Sequence, residues 1–247
     1  MGALYDPEFF DAIREGSGRS AGGVVPILQR CFAPRSVVDV GCGEGAWCDA
    51  FLRHGAQRVV GLDWLPGYEL GRTIRTRSGA EITMVDLEEA LGPPRATFDL
   101  ALCLEVAEHL SPGRADSLVR DLCSLAPVVV FSAAVPGQGG QGHVNEQWPR
   151  EWAQRFLKQD RLVTGRLRDV FADDGDIEPW YRHNMIVAVA QGSSLSALAT
   201  LLPPGASRLH PALWVDGDGD MAITQAVHAL AREMRAATSP PGATGSR

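Results

Sequence analysis

Short apolar runs alternate with helix-like stretches from Ser36 to about Ala134, and this alternation predicts a parallel β-sheet with helices between its strands. The runs are mostly Val, Ile, Leu and Ala, as expected of strands covered on both faces. The predicted strands of this core are 36–40, 58–62, 81–85, 98–104 and 125–132. Two later apolar runs, 162–172 and 184–190, are predicted as the sixth and seventh strands.

Helices are predicted on both sides of this core. Residues 4–16 and 22–32 have apolar residues at helical spacing, and the run 16–20 is predicted to separate them into two helices. Pro26 then fits only the first turn of the second helix. Residues 1–35 are therefore predicted to form an N-terminal helical cover.

The chain after the fifth strand is predicted to close the core and then to continue as an extension. A helix over 148–158 would place Trp148, Trp152 and Phe156 on one face against the sheet. The core domain is predicted to span 36–192, and a C-terminal extension with one helix follows over 193–236. The last residues, 237–247, are rich in Ser, Pro and Gly and are predicted to be disordered.

A glycine-rich turn follows the first predicted strand. It contains Gly41, Gly43 and Gly45, and glycine lets a backbone approach a ligand where a Cβ would collide. The turn also fits a loose dinucleotide fingerprint, so a nicotinamide-dependent oxidoreductase is one interpretation. Asp39 argues against that interpretation, because its carboxylate would repel a pyrophosphate. It suits a cationic ligand that carries a sulfonium and an amino group.

Acidic residues also follow the next three predicted strands. Asp63 follows the second strand, where it can accept hydrogen bonds from two ribose hydroxyls, and Asp86 follows the third, where it can accept one from an adenine amino group. Glu105 follows the fourth strand. Each carboxylate alone could be a helix cap or a loop residue. Their order at successive strand ends instead favours a nucleoside cofactor with a positive charge.

This ordered series resembles the class I S-adenosylmethionine-dependent methyltransferases over residues 17–190. The resemblance implies a Rossmann-like, doubly wound α/β fold with a seven-stranded sheet whose last strand is antiparallel. It also implies S-adenosylmethionine as the cofactor. The residues implied in cofactor binding lie in the glycine turn or after strand ends: Asp39, Gly41, Gly43, Gly45, Asp63, Trp64, Asp86, Leu87 and Leu104.

Two carboxylates and an imidazole follow the fourth strand. Glu105, Glu108 and His109 have the spacing i, i+3 and i+4, which would place them on one helix face as ligands for a hard divalent ion. The alternative is structural: glutamates favour a helix N-terminus, and Glu108 and His109 could form a simple pair. A second segment, His143 to Trp148, follows a loop with four glycines.

The two segments resemble the magnesium-dependent 2′-O-methyltransferases of small-RNA 3′ ends, and the first also resembles the ubiquinone-pathway O-methyltransferases. The resemblance implies that Glu105, Glu108, His109 and His143 hold Mg²⁺ or Mn²⁺. Such an ion would favour methylation of a hydroxyl, because it lowers the cost of deprotonation. Without metal, His109 or His143 could act as the general base, beside Glu105 as a further catalytic residue.

A third group of residues precedes the last strand. Trp180, Tyr181 and Arg182 suit stacking on a sugar or ring and pairing with an anion. The alternative is an aromatic plug at the end of the sheet, with Arg182 in solvent. The sequence thus predicts O-methylation of a small molecule such as a sugar or a secondary metabolite. Metal-free N- or C-methylation and non-catalytic cofactor binding remain as alternatives.

The net charge and composition of the chain exclude some classes of binding partner and cellular location. The net charge of −7 and the pI near 5.4 argue against a nucleic-acid partner, which needs a basic surface. No apolar run reaches the length of a membrane span, and the N-terminus lacks the apolar region of a signal peptide, so a cytoplasmic protein is predicted. The cysteines lack metal-site spacing and are predicted to be reduced and buried. The sequence leaves the oligomeric state open.

Overall fold

Five parallel strands form the centre of the sheet in the computed structural model, which describes residues 7–94 and 96–190. The sheet has eight strands in the order β3-β4-β2-β1-β5-β6-β8-β7. The strands are β1 Ser36–Val40, β2 Arg58–Asp63, β3 Thr73–Arg75, β4 Glu81–Met84, β5 Leu100–Leu104, β6 Val128–Ser132, β7 Arg161–Thr164 and β8 Ile186–Ala190. The helices are α1 Pro7–Phe32, α2 Ala46–Arg53, α3 Ala115–Leu125, α4 Pro149–Leu157, α5 Arg166–Phe171 and α6 Pro179–Asn184.

Helices cover both faces of the sheet because successive side chains of each buried strand point in opposite directions. Val37 of β1 packs in the core layer that contains α1 and α2, whereas Val38 packs in the layer that contains α3 and α4. Leu100 and Ala101 of β5 divide between the same two layers. This arrangement confirms the doubly wound, Rossmann-like α/β fold.

Antiparallel strands form both edges of the sheet. β8 pairs antiparallel with β6, as predicted for the last strand, and β7 pairs antiparallel with β8. The eighth strand, β3, pairs antiparallel with β4 at the opposite edge and was not predicted. Its three residues are too few and too polar to give a periodic signal.

The prediction of two N-terminal helices is wrong, because α1 is continuous from Pro7 to Phe32 and contains Pro26 in its interior. Tertiary contacts explain why the glycines do not interrupt it. Gly16 lies close to the side chain of Glu178, which would have to shift to admit a Cβ there. The Arg19 guanidinium donates to the Glu178 carboxylate at 2.6 Å, and the Ser20 hydroxyl accepts the backbone N–H of Glu178 at 3.0 Å.

Three predictions for the second half of the chain need correction. The strand predicted over 162–172 ends at Thr164, and α5 follows it; likewise, α6 occupies 179–184 before β8 begins at Ile186. Trp152 and Phe156 are buried against Phe131, as predicted. Trp148, however, precedes the first turn of α4 and is exposed, so it does not share their face.

The remaining predictions concern the cysteines and the chain termini. All five cysteines are free, and four are buried. Among residues 7–94 and 96–190, no helix has the length and apolar character needed to cross a bilayer. The predicted extension over 193–236 and the tail over 237–247 lie outside the described residues.

Candidate functional site

The carboxyl ends of the five parallel strands bring the predicted site residues to one edge of the sheet. The glycine turn follows β1, Asp63 ends β2, and Asp86 follows β4. Glu105 follows β5, and the glycine-rich loop over 135–142 follows β6. Open α/β sheets bind their ligands at this edge.

The glycine turn adopts backbone conformations that other residues rarely adopt. Gly41, Gly43 and Gly45 have φ values of 81°, 53° and 87°. A Cβ on Gly41 would collide with Val106, whereas a Cβ on Gly43 would meet no heavy atom within 4 Å. The turn is therefore packed tightly against the protein at Gly41 and open at Gly43, which fits close approach of a ligand to the backbone.

Asp39 is a buried carboxyl at the end of β1. Burial and, to a lesser extent, the nearby Asp63 carboxylate raise the pKa of Asp39 to about 7. Its Oδ2 accepts a hydrogen bond from the Cys48 thiol at 3.6 Å. Because a thiol is a weak donor, this bond compensates little for the burial of the ionised carboxylate, so this position favours an incoming positive charge.

Asp63 fixes the glycine turn from the end of β2. Its Oδ2 accepts the backbone N–H of Gly43 at 2.6 Å, and its Oδ1 accepts that of Trp64 at 2.7 Å. Burial raises the pKa of Asp63, and these two hydrogen bonds oppose the increase. Each oxygen keeps a second lone pair for a ligand hydroxyl.

The other predicted cofactor residues divide by exposure. Asp86 is exposed and accepts the backbone N–H of Glu88 at 2.9 Å. Trp64 is also exposed, whereas Leu87 and Leu104 are buried. At this edge of the sheet, Asp86 and Trp64 are thus accessible at the surface, and Leu87 and Leu104 are buried apolar residues.

The residues after β5 do not form the predicted helix face. Of these residues, Glu108 and His109 lie in a single 3₁₀ turn, Ala107–His109, and Glu105 lies before it with a left-handed φ of 54°. A non-glycine residue in this conformation stores backbone strain, of order 1–3 kcal/mol, and such strain is frequent at functional sites. The prediction that Glu105, Glu108 and His109 share one helical face is therefore wrong.

Three of the four predicted metal ligands nevertheless converge. One ligand atom from each of Glu108, His109 and His143 lies within 4.8 Å of the other two. Oε2 of Glu108 is buried and has no hydrogen-bond partner among the described residues. Glu105 lies outside this group of three, but its carboxylate neighbours that of Glu108. The donor set, one carboxylate and two imidazoles with a second carboxylate adjacent, fits a divalent cation.

The electrostatics of this group also fit a cation. Burial and the neighbouring Glu105 raise the pKa of Glu108 to about 8. Burial raises the pKa of Glu105 as well. His109 is exposed at its edge of the group, and partial burial and the nearby His143 lower its pKa, which favours the neutral ring that binds metal. Ionising the buried Glu108 carboxyl beside the half-buried Glu105 carboxyl is costly, and a cation near the two would reduce that cost.

Glu146 organises the glycine-rich loop, a role that the sequence did not indicate. Its carboxylate accepts the backbone N–H groups of Gly137 and Gly139 at 2.9 and 3.0 Å, and Nδ1 of His143 lies 2.9 Å away. The His143 hydrogen bond is the largest cause of the lowered pKa of Glu146. The bond also orients the His143 ring toward His109, whose ring centroid is 4.8 Å away. The sequence signal that could have found this residue is its position three residues after His143.

The three predicted substrate residues have different environments. Tyr181 is buried against Trp47, with ring centroids 5.1 Å apart, and its hydroxyl lies 3.1 Å from that of Ser17. Arg182 donates to the backbone carbonyl of Ala172 at 3.1 Å. Trp180 alone has an exposed ring. Tyr181 thus has the contacts of the aromatic plug, and Trp180 has those of a stacking surface.

The fold and the site define a class I S-adenosylmethionine-dependent methyltransferase. The sequence profile described as "Methyltransferase domain" matches residues 14–162, so the chain belongs to this family. Among curated relatives, it is 32% identical over 147 residues to the ubiquinone biosynthesis O-methyltransferase of Rhodopseudomonas palustris (strain BisA53), with 56% of each chain covered. It is 37% identical over 158 residues to the one from Methylocella silvestris, with 52% of this chain and 60% of that protein covered.

The chain therefore spans about half of the length of the curated relatives it matches. Among solved structures, an O-methyltransferase family protein from Burkholderia thailandensis has a TM-score of 0.55 at 13% identity, with 76% of this chain and 62% of that chain covered. The sugar N-methyltransferase KedS8 from Streptoalloteichus has a TM-score of 0.53 at 15% identity, with 77% and 97% covered. At these identities the likeness concerns the fold.

Proposed function

We propose that this methyltransferase transfers the methyl group to a hydroxyl of a small molecule, assisted by Mg²⁺ or Mn²⁺. The observation that carries the proposal is the convergence of Glu108, His109 and His143 within 4.8 Å at the end of β5, with a partnerless buried carboxylate oxygen among them. The curated relatives named as O-methyltransferases support it. Glu105, adjacent to Glu108, is the fourth member of the proposed metal site.

In this proposal the glycine turn and the strand-end carboxylates hold the cofactor. Asp39 faces its cationic methionine part, Asp63 accepts its ribose hydroxyls, and Asp86 accepts its adenine amino group. Gly41, Gly43 and Gly45 let the backbone approach it. Trp64, Leu87 and Leu104 supply its apolar contacts. These contacts align the sulfonium for an in-line displacement by the acceptor oxygen, and alignment supplies much of the rate.

In the same proposal the methyl acceptor binds beside the metal site, which we call the acceptor side. This side consists of Glu105, Glu108, His109 and His143. A divalent ion held there supplies positive charge that favours the deprotonated acceptor hydroxyl. Two adjacent oxygens would suit such an ion, so a sugar or another diol of a secondary-metabolite scaffold is the proposed acceptor class. Trp180, with its exposed ring, provides the stacking surface for such an acceptor.

A calorimetric titration tests this function directly. Mg²⁺ and Mn²⁺ are titrated into the S-adenosylhomocysteine complex of the natural protein and of the double variant Glu105→Gln/His143→Ala. Saturable binding that the variant loses is the expected result, with unchanged affinity for S-adenosylhomocysteine. An exposed acidic residue far from the site provides the control, Glu81→Gln on β4, which should bind metal like the natural protein.

No metal binding by the natural protein would contradict the metal-assisted function. It would favour the second mechanism, in which His109 or His143 accepts the proton. That mechanism serves amine and carbon acceptors as well as hydroxyls. The fold neighbour named as a sugar N-methyltransferase shows that this fold accommodates the amine chemistry in another protein.

Cofactor binding is expected to weaken as the pH falls through 7. Binding a cationic cofactor requires ionised Asp39, whose pKa is about 7 in the free protein, so protonation opposes binding below that pH. Affinity for S-adenosylmethionine should fall roughly tenfold from pH 8 to pH 6, because one pH unit below the pKa leaves about a tenth of the carboxyl ionised. Calorimetry at the two pH values measures the change.

Two variants separate Asp39 from other titrating groups. Asp39→Asn should bind more weakly at pH 8 and lose most of the pH dependence. Asp86→Asn should also bind more weakly but should keep the dependence, since it retains Asp39. An Asp39→Asn variant with the full natural pH dependence would contradict the assignment of the titrating group.

A further inference from the structure

Two side-chain amides bond to the two oxygens of the Glu105 carboxylate. Nε2 of Gln138 donates to Oε2 of Glu105 at 3.1 Å, and Nδ2 of Asn184 donates to Oε1 at 3.3 Å. The same Asn184 nitrogen donates to Oε1 of Gln138 at 2.8 Å, so the two amides are also joined to each other. We name this pair, Gln138 and Asn184, the amide clamp.

The clamp joins three parts of the fold that are distant in sequence. Glu105 follows β5, Gln138 lies in the glycine-rich loop after β6, and Asn184 ends α6. Asn184 is 96% buried, and both of its amide hydrogens are used by the two bonds. A buried amide without hydrogen-bond partners is costly, so these two bonds strongly favour one orientation of the Asn184 side chain.

The position of the Glu105 side chain depends on contacts with other residues, because Glu105 does not lie in a helix or strand. Its φ of 54° is a strained conformation, outside any regular element. Its backbone N–H bonds to Ser132 at 3.0 Å, which fixes the main chain. Its carboxylate interacts with Ser132 and with both amides of the clamp, and the clamp is the part of this support that comes from the glycine-rich loop and from α6.

We propose that Gln138 and Asn184 are positioning residues of the methyl-transfer site, which hold the Glu105 carboxylate beside Glu108 and tie the glycine-rich loop to it. The inference rests on the proposed function in that Glu105 and Glu108 belong to one cation site. Carboxylates that bind metals are themselves hydrogen-bonded, and loss of such an outer partner typically costs about 10- to 100-fold in metal affinity. The clamp occupies that outer position.

The clamp also fixes the loop. The backbone N–H of Gln138 bonds to the carbonyl of Val135 at 2.9 Å, and Gly137 and Gly139 on either side bond to Glu146. Glu146 in turn contacts His143. Gln138 therefore ties the loop to Glu105 and Asn184, while Glu146 ties it to His143. Through this loop, Glu105 and His143 of the proposed metal site are connected to each other.

The test uses Gln138→Met and Asn184→Leu, which keep the side-chain size and remove the amide. The matched control is Gln154→Met, the same change at an exposed position of α4. For each protein we would measure S-adenosylhomocysteine affinity, Mn²⁺ affinity of that complex, and hydrogen exchange of residues 135–147 without metal. Thermal unfolding verifies that each variant is folded, and the two variants lie on different elements.

Both clamp variants should bind S-adenosylhomocysteine within about twofold of the natural protein and Mn²⁺ about tenfold more weakly. Exchange in the loop should be about tenfold faster, while the control changes neither. Natural Mn²⁺ affinity in both variants would overturn the proposal. If the natural protein itself binds no Mn²⁺, the metal-assisted function is contradicted. Hydrogen exchange of residues 135–147 then tests the clamp alone: faster exchange in both variants supports the positioning role, and unchanged exchange overturns it.

Discussion

Replacing Asp63 by alanine is expected to weaken S-adenosylhomocysteine binding by about 100-fold or more. Hydrogen bonds to a charged acceptor contribute about 1.5–3 kcal/mol each, and we propose that this carboxylate accepts two ribose hydroxyls. The substitution also removes the acceptor for the backbone N–H groups of Gly43 and Trp64, so the glycine turn loses its anchor to β2. Both effects reduce cofactor affinity.

A second carboxylate provides the control for this experiment. Asp99 also accepts backbone N–H groups, those of Arg35 and Ser36 at 2.8 Å each, but at the opposite end of the sheet. Asp99→Ala should therefore lower thermal stability and leave the affinity unchanged. Calorimetry on both variants gives the comparison. An Asp63→Ala protein that retains affinity within a few-fold would refute the assignment of Asp63 to the ribose.

The placement of the proposed cofactor residues could be predicted from the sequence because its determinants are local. Glycines after an apolar strand and acidic residues at successive strand ends are read directly from the chain. The parallel sheet then brings Asp39, Asp63 and Asp86 to one edge without further information. The buried ends of the strands, with Leu104 below the site, follow from the same pattern.

The acceptor side could be predicted only in part because its geometry depends on contacts between distant segments. The spacing of Glu105, Glu108 and His109 suggested a helix, but the hydrogen bonds of Glu105 to Ser132 and to the amide clamp favour a left-handed residue and a 3₁₀ turn. For the same reason, α1 continues through its glycines: it packs against Glu178, far along the chain. Local periodicity carries no information on such contacts.

Glu108→Gln is expected to have two opposite effects, a loss of metal binding and a gain in the stability of the metal-free protein. Gln keeps the size of the side chain but removes the charge that a cation needs, so Mn²⁺ affinity should fall by about 100-fold or more. The stability gain arises because burial and the neighbouring Glu105 carboxylate raise the pKa of Glu108 to about 8. The folded protein therefore favours the neutral carboxyl.

The pH dependence identifies the cause of the stability gain. A carboxyl whose folded pKa exceeds its unfolded value of 4.5 destabilises the protein as the pH rises from about 4.5 to 8. The variant and the natural protein should thus have similar stability near pH 4.5, and the variant should be more stable by a few kcal/mol, to order of magnitude, at pH 8. Denaturant unfolding without metal measures this difference.

Addition of Mn²⁺ should then stabilise the natural protein more than the variant at pH 8. Ligand binding stabilises a protein in proportion to its affinity, so a 100-fold weaker site gains up to about 2.7 kcal/mol less. Glu81→Gln on β4 removes an exposed carboxylate that pairs with Arg75, and it should change neither stability nor the response to Mn²⁺ by more than about 1 kcal/mol. A Glu108→Gln protein that gains stability from Mn²⁺ as the natural protein does would contradict Glu108 as a ligand. A Glu108→Gln protein that is no more stable than the natural protein at pH 8 would instead contradict the claim that Glu108 carries a buried, uncompensated charge. The role of Glu108 as a metal ligand and the cost of its buried charge are thereby tested separately.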